Sequence, residues 1–253
     1  MRIIPFADHK IGYDCVEYLL HLEGIGKVEI PFLVTTSNNE NNWWPSLASL
    51  ASEKSILIFE PGKPIDDFIF DDIDFVFLIS WKYLMPKSFV NHYDVIINLH
   101  YSLLPKFRGV YPVNWAIIEG EEKTGVTFHS INNCIDRGHL LAQREVDIVE
   151  NDTSYSLLQK LDIIAFDLFQ AIITEQILSG NICFINVLPD ESAYYSRIKF
   201  NEKAKLSLQD NMKIGDILNI LRGYTFKDGT SSAYFIGRNG KKYWVSIDIK
   251  SDE

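Results

Sequence analysis

Apolar residues come in runs whose spacing changes along this chain. Asp74–Ile79 (DFVFLI) and Asp94–Leu99 (DVIINL) are nearly unbroken apolar stretches of strand length. That is the pattern of strands covered on both faces in a parallel sheet. Arg2–Ala7 reads as a first strand, Val28–Val34 as a second and Ile56–Phe59 as a short third. Between them the spacing becomes helical: Gly12–Leu22 sets Val16, Leu19 and Leu20 on one face, and Leu47–Ser52 suits a short helix. Thr36 to Asn42 is a polar loop. Thr124–Ile131 and Leu140–Ile148 are two further strands. Strands separated by helices predict an α/β fold, a doubly wound and mostly parallel Rossmann-like sheet.

Asn151–Leu178 is the clearest helix, with Leu157, Leu158, Leu161, Ile164, Ala165, Leu168, Ile172 and Ile173 at helical spacing. Asp152, Thr153 or Ser154 can cap its start, and Ser179-Gly180-Asn181 ends it. Beyond about residue 186 the segments become short and more basic. Ile214–Leu221 suits a helix there. Ala233–Ile236 and Lys242–Ile249 flank Asn239-Gly240, a strong hairpin signal. The expected organisation is a core over 1–185 and a small α+β C-terminal subdomain over 186–253. The chain carries no internal repeat and no low-complexity segment.

Composition narrows the function. The 253 residues carry a net charge of −10. Residues 1–185 hold 13 basic and 25 acidic residues, and 186–253 hold 11 and 9. No basic stripe offers phosphate neutralisation, so nucleic acid is not the expected partner. No run approaches the apolar length of a membrane span, and the first residues lack the apolar core of a signal peptide. No membrane association and a cytoplasmic location are therefore expected. Cys15, Cys134 and Cys183 are too few and too scattered for a disulfide framework, which fits a reducing compartment. The six histidines lack metal spacing, so no metal is expected. The first turn, Ala7-Asp8-His9-Lys10-Ile11-Gly12, has no G-x-G-x-x-G and implies no dinucleotide site.

The chemistry-bearing stretch is Ile97–Leu141. Asn98 and His100 close a buried strand two residues apart, so their side chains share a face. The carboxyl ends of such strands are where open α/β sheets bind ligands. Asp136 lies in a polar loop that can return to that edge. Acyl transfer to an amine needs donors aimed at the carbonyl oxygen, where negative charge grows, and a group to take the amine proton. Asn98 and a histidine N–H can donate, His100 can accept the proton, and a carboxylate can fix the imidazole tautomer. Taken singly, each residue has a plainer role: a strand-end histidine is usually solvated, and Asn or Asp there usually shapes a turn. No G-x-S-x-G elbow accompanies Ser102.

Asn98-Leu99-His100, Ser102-Leu103-Leu104-Pro105, Arg108-Gly109, Pro112 with Trp115-Ala116, Gly120, Thr124-Gly125-Val126-Thr127 and Asp136-x-Gly138 resemble the folate-dependent formyltransferase family. That family includes methionyl-tRNA formyltransferases, glycinamide ribonucleotide formyltransferases and sugar N-formyltransferases. The resemblance implies Asn98, His100 and Asp136 as catalytic residues and 10-formyltetrahydrofolate as co-substrate. It places the folate against Tyr83-Leu84-Met85 and against Asn132, Asn133, Cys134 and Ile135.

The motif arrangement is most similar to the sugar N-formyltransferases. This implies transfer to a 3- or 4-amino dideoxy sugar on a nucleotide, dTDP being expected, for O-antigen or other surface polysaccharide. One sugar branch carries an arginine where this chain has Val110, which counts against an arabinose acceptor. A stacking aromatic and a cation are needed for base and diphosphate. Trp81, Lys82, Ser102, Arg108, Tyr194, Arg197 and Tyr224 are the substrate-binding candidates. The resemblance also implies a homodimer. Two other readings stand beside this one: a methionyl-tRNA formyltransferase, disfavoured by charge and tail length, and an inactive folate- or sugar-nucleotide-binding module.

Overall fold

The computed structural model describes residues 1–36, 44–59, 70–185 and 193–252. The elements in chain order are β1 (Ile3–Ala7), α1 (His9–Gly24), β2 (Leu33–Val34), α2 (Leu47–Glu53), β3 (Ile58–Phe59), β4 (Phe75–Ile79), α3 (Lys87–His92) and β5 (Ile96–His100). There follow β6 (Arg108–Gly109), α4 (Pro112–Ile118), β7 (Lys123–Ser130), β8 (Leu140–Asp147), α5 (Ser154–Ala171), β9 (Tyr194–Tyr195), α6 (Arg197–Lys203), α7 (Ile214–Tyr224), β10 (Tyr234–Ile236) and β11 (Lys242–Trp244).

Seven strands make one sheet in the order β3-β2-β1-β4-β5-β7-β8. Strands β1 to β5 pair in parallel. Strand β7 runs antiparallel to β5. The predicted α/β sheet is thus present, mostly parallel, and its order reverses between β1 and β4. The unbroken apolar runs behave as read: every residue of β1 and β4 is buried. Phe6, Phe32, Val76, Leu78, Phe89 and Ile96 form the core on one side.

Several predicted boundaries move, among them those of α1, β2 and the long helix, and the last strand stops at Trp244 and not at Ile249. Helix α1 starts earlier, because Asp8 caps it, accepting from the His9 amide at 2.9 Å and from the Thr36 hydroxyl. The Val28–Val34 strand shrinks to Leu33–Val34: Glu23 takes the Ile30 amide at 2.7 Å, and Pro31 has no N–H for a ladder. The long helix begins at Ser154 and passes into π-helix over Ile172–Ile177. The polar loop, from Ser37 on, lies outside the described residues.

Contacts divide the chain into two compact units. The first takes the described residues of Met1–His100, Thr127–Gln143 and Ile164–Leu188. The second takes those of Tyr101–Val126, Arg144–Ile163 and Pro189–Glu253. In the second, α4 and α7 pack closely because Gly223 has no side chain; a Cβ there would stand 2.5 Å from Ile118. The Asn114 amide seals the contact, donating to the Gly223 carbonyl at 2.7 Å. Phe107, Trp115, Phe200, Ile220 and Tyr224 fill this unit's core. Strands β6 and β9 pair in parallel, Arg108 beside Tyr194. Gly109 sits at φ 107, and a Cβ on it would meet the Tyr195 carbonyl at 2.3 Å, so the Arg-Gly pair has a steric reason. Strands β10 and β11 form the predicted hairpin, with Gly240 at φ 73. No helix among the described residues is long and apolar enough to cross a membrane.

Candidate active site

Asn98 and His100 lie within the last three residues of β5, where the strand ends at the carboxyl edge of the sheet. The β5–β7 register sets His129 directly opposite Asn98, and Thr127 opposite His100. Directly opposed residues share a face. The Asn98 amide nitrogen lies 3.1 Å from His129 Nε2. His129 is 1% exposed and His100 6% exposed, so both rings stand almost wholly out of water.

Asp136 returns to this edge on the loop after β7, as the sequence predicts. Three features close that loop. Gly138 passes so near β7 that a Cβ would stand 1.5 Å from the Ser130 carbonyl oxygen. The Asn132 side chain donates to the Arg137 carbonyl at 2.9 Å and accepts from the Cys134 amide at 2.9 Å. The Ser130 hydroxyl accepts from the His139 amide at 2.9 Å. Asp136 itself is left-handed at φ 50, a conformation that costs a non-glycine residue about 1–3 kcal/mol and concentrates at functional sites. Its two carboxylate oxygens then face the two imidazoles: Oδ2 is 3.8 Å from His100 Nδ1, and Oδ1 is 3.7 Å from His129 Nε2. Both gaps exceed a direct hydrogen bond and suit a bridging water or a small closure on ligand binding.

Burial lowers the His129 pKa to about 4, the desolvation outweighing the attraction of Asp136, with His100 adding to the lowering. His129 is therefore neutral at physiological pH. Motif spacing does not reveal His129, because its place depends on β7 running antiparallel in this register; the apolar run in which it sits is the one sign of its burial.

The folate-binding candidates sit on two loops whose roots, Trp81 and Met85 on one and Ile131 on the other, pack on the same core cluster. Tyr83 is 44% exposed, Leu84 74% and Ile135 42%. These three are large apolar side chains left in water. Asn132 spends its side chain on the loop, and Asn133 reaches Asn91 at 3.3 Å. Cys134 is exposed.

The substrate candidates are divided between the units. Trp81 and exposed Lys82 follow β4 in the first. In the second, Ser102 is buried and donates to the Lys106 carbonyl at 2.6 Å, and Arg108 is buried in β6. Tyr194 and Arg197 are exposed. Tyr224 is buried in the aromatic core, its hydroxyl donates to the Phe200 carbonyl, and burial raises its pKa. A cavity of about 900 Å³ in the second unit is lined by Trp115, Tyr195, Lys199 and Met212 among others, and by none of the catalytic candidates.

Residues 69–172 match the formyl transferase family, and residues 199–251 match the N-formyltransferase dimerization C-terminal domain. Over 233 residues the chain is 30% identical to the bifunctional polymyxin resistance protein ArnA of Wigglesworthia glossinidia brevipalpis, covering 89% of this chain. The chain spans about a third of that relative, 35% of its length. A 4-N formyltransferase from Francisella tularensis superposes with a TM-score of 0.84 at 22% identity, over 99% of this chain and 98% of that one. The N-formyltransferase of Helicobacter canadensis, solved with folinic acid and dTDP-3-aminofucose, superposes at 0.74 with 24% identity, over 90% and 81%. The chain therefore carries a formyl transferase region on this α/β sheet, followed by an N-formyltransferase dimerization C-terminal domain.

Proposed function

We propose that this enzyme transfers a formyl group from 10-formyltetrahydrofolate to the amine of a nucleotide-linked 3- or 4-amino dideoxy sugar, with dTDP as carrier. The observation that carries the reading is the meeting of Asn98, His100 and Asp136 at one sheet edge inside the matched formyl transferase region. The sugar rests on the relatives: one acts as a 4-N formyltransferase, and another was solved with dTDP-3-aminofucose and folinic acid. The proposed destination of the product is surface polysaccharide, such as the O-antigen. The proposed division is a catalytic core over 1–185 and a C-terminal subdomain over 186–253 that pairs two copies, as the dimerization domain match supports.

In this reading the folate lies on Tyr83, Leu84 and Met85 and on the loop 132–135, and supplies an activated formyl carbon. Asn98 donates to the formyl oxygen as charge grows there. His100, almost out of water, donates as well or takes the proton that the attacking amine releases; as the new formyl–amine bond forms, the formyl–N10 bond breaks, and that proton ends on N10 of the departing tetrahydrofolate. Asp136 steadies the imidazolium that results. Tyr194 and Arg197 offer an exposed ring and cation for the nucleotide.

The test is turnover. The purified chain is given 10-formyltetrahydrofolate and, in turn, dTDP- and UDP-linked 3-amino and 4-amino sugars and methionyl-tRNA, and products are weighed by mass spectrometry. A formylated dTDP sugar is the expected product. Formylation of the charged tRNA alone would sink the sugar assignment, and no formyl transfer to any acceptor would sink the whole reading.

A further inference from the structure

We propose that His129 is a positioning residue that holds the Asn98 carboxamide in its working orientation through a fixed neutral tautomer. The inference rests on the reading that Asn98 donates to the formyl oxygen, and it concerns how that amide is held.

His129 Nδ1 lies 2.8 Å from the Ser130 carbonyl oxygen. A carbonyl can only accept, so Nδ1 must carry the proton. The ring is neutral, because burial penalises its charged form. A neutral imidazole protonated at Nδ1 has a lone pair at Nε2. Asn98 is the cross-strand partner, 3.1 Å from that lone pair. Its carbonyl oxygen would be repelled there, so it must present Nδ2. One Asn98 N–H is thereby taken by His129, and the flip of the amide is settled before any substrate arrives. The second N–H remains for the reacting carbonyl oxygen.

The same tautomer keeps His129 away from proton transfer. Its Nε2 carries no proton to give Asp136, and its position beside Asp136 and His100 leaves His100 as the imidazole that can gain charge. The site thus contains two histidines with divided duties: one neutral and orienting, one able to charge. Pre-set donors of this kind cost no reorganisation during reaction.

The first test needs no substrate. Histidines of the full chain are labelled with ¹⁵N, and His129 is assigned by the loss of its signals in His129→Gln. At neutral pH, Nδ1 should show the protonated shift and Nε2 the unprotonated one, and Asn98→Ala should move the Nε2 signal. An Nε2-protonated ring, or an Nε2 signal indifferent to Asn98→Ala, would overturn the proposal.

The second test is kinetic, with the acceptor selected above. His129→Leu, checked for folding by its melting curve, should lose about tenfold or more in kcat with KM values nearly unchanged. His129→Gln keeps a side-chain acceptor and should recover most of that loss. In an Asn98→Ala background His129→Leu should cost less than about twofold further, since the two act through one contact. Full and independent multiplication of the two losses overturns the proposal. Failure to formylate any sugar, with the tautomer and the Asn98-dependent shift both as stated, would fail the substrate reading and support this one.

Discussion

Asp136 Oδ2 stands 3.8 Å from His100 Nδ1, about an ångström beyond a charge-assisted hydrogen bond. The carboxylate faces the ring without gripping it, which suits a pair that tightens when both substrates are in place. Asp136→Asn keeps size and polarity but cannot support a charged imidazole. It should retain the fold and both KM values while kcat falls about 10²–10⁴-fold. Near-normal kcat in a well-folded Asp136→Asn enzyme would remove Asp136 from the mechanism.

Gly138 sets where Asp136 can stand. A methyl group there has no room, because the atom it meets is the Ser130 carbonyl oxygen of β7 and not a side chain that can turn aside. Gly138→Ala should push the loop off the strand. The expected cost is about 1–3 kcal/mol of stability by thermal melting. Misplacing Asp136 by about an ångström should cost on the order of 10²-fold in kcat. A variant with unaltered melting and unaltered kcat would show that the loop closes some other way.

Much of this was legible in the sequence, for physical reasons. The runs ending at Ile79 and Leu99 are apolar on both faces because the strands are covered on both faces. Asn98 and His100 stand out because polar residues end such a run only where the sheet meets ligand or solvent. His129 was not legible as part of the site, since cross-strand register is a tertiary fact that motif spacing does not carry. The shortening of β2 was legible only in part: Pro31 is visible in the sequence, but the capture of the Ile30 amide by Glu23 is not. Tyr224 illustrates the reverse case. Ile220 and Tyr224 lie four apart on the buried face of α7, a spacing that signals core packing before any ligand contact.

Acid should weaken the fold through its buried histidines. His129 has its pKa lowered to about 4 and His9 is lowered as well, both by burial. Well above pH 6.5 both states of the chain hold these rings neutral. Between about 6.5 and 4 the unfolded chain binds protons that the folded chain refuses, so stability falls as pH falls. For His129 alone the full loss is on the order of 3 kcal/mol. Melting temperatures across that range should drop less steeply in His129→Gln. An identical slope in the two proteins would mean that His129 titrates as in water.

Tyr194 offers the exposed ring of β9, 42% exposed beside Arg108 in the strand pair. Tyr194→Ala should raise the KM of the nucleotide sugar about tenfold, consistent with the loss of one stacking contact, and leave the folate KM nearly alone. Equal effects on both substrates would count against a nucleotide role for this residue.

Asn98 and His100 leave one strand on one face and, in the proposed mechanism, serve a single transition state. Asn98 donates to the oxygen that gains charge; His100 donates there or takes the proton that the amine must lose. If either is absent, the other faces a reaction that no longer passes through the assisted path. Asn98→Ala and His100→Ala should each lose about 10²-fold or more in kcat, with KM little changed, because the lost interaction exists in the transition state and not in the ground state. The double variant should lose a similar factor and not the product of the two. Melting curves must show all three variants folded, which the half-buried setting of Asn98 favours. Losses that multiply in full would assign the two residues to separate steps. A His100→Ala enzyme with near-normal kcat on its best amino sugar would overturn the mechanism itself.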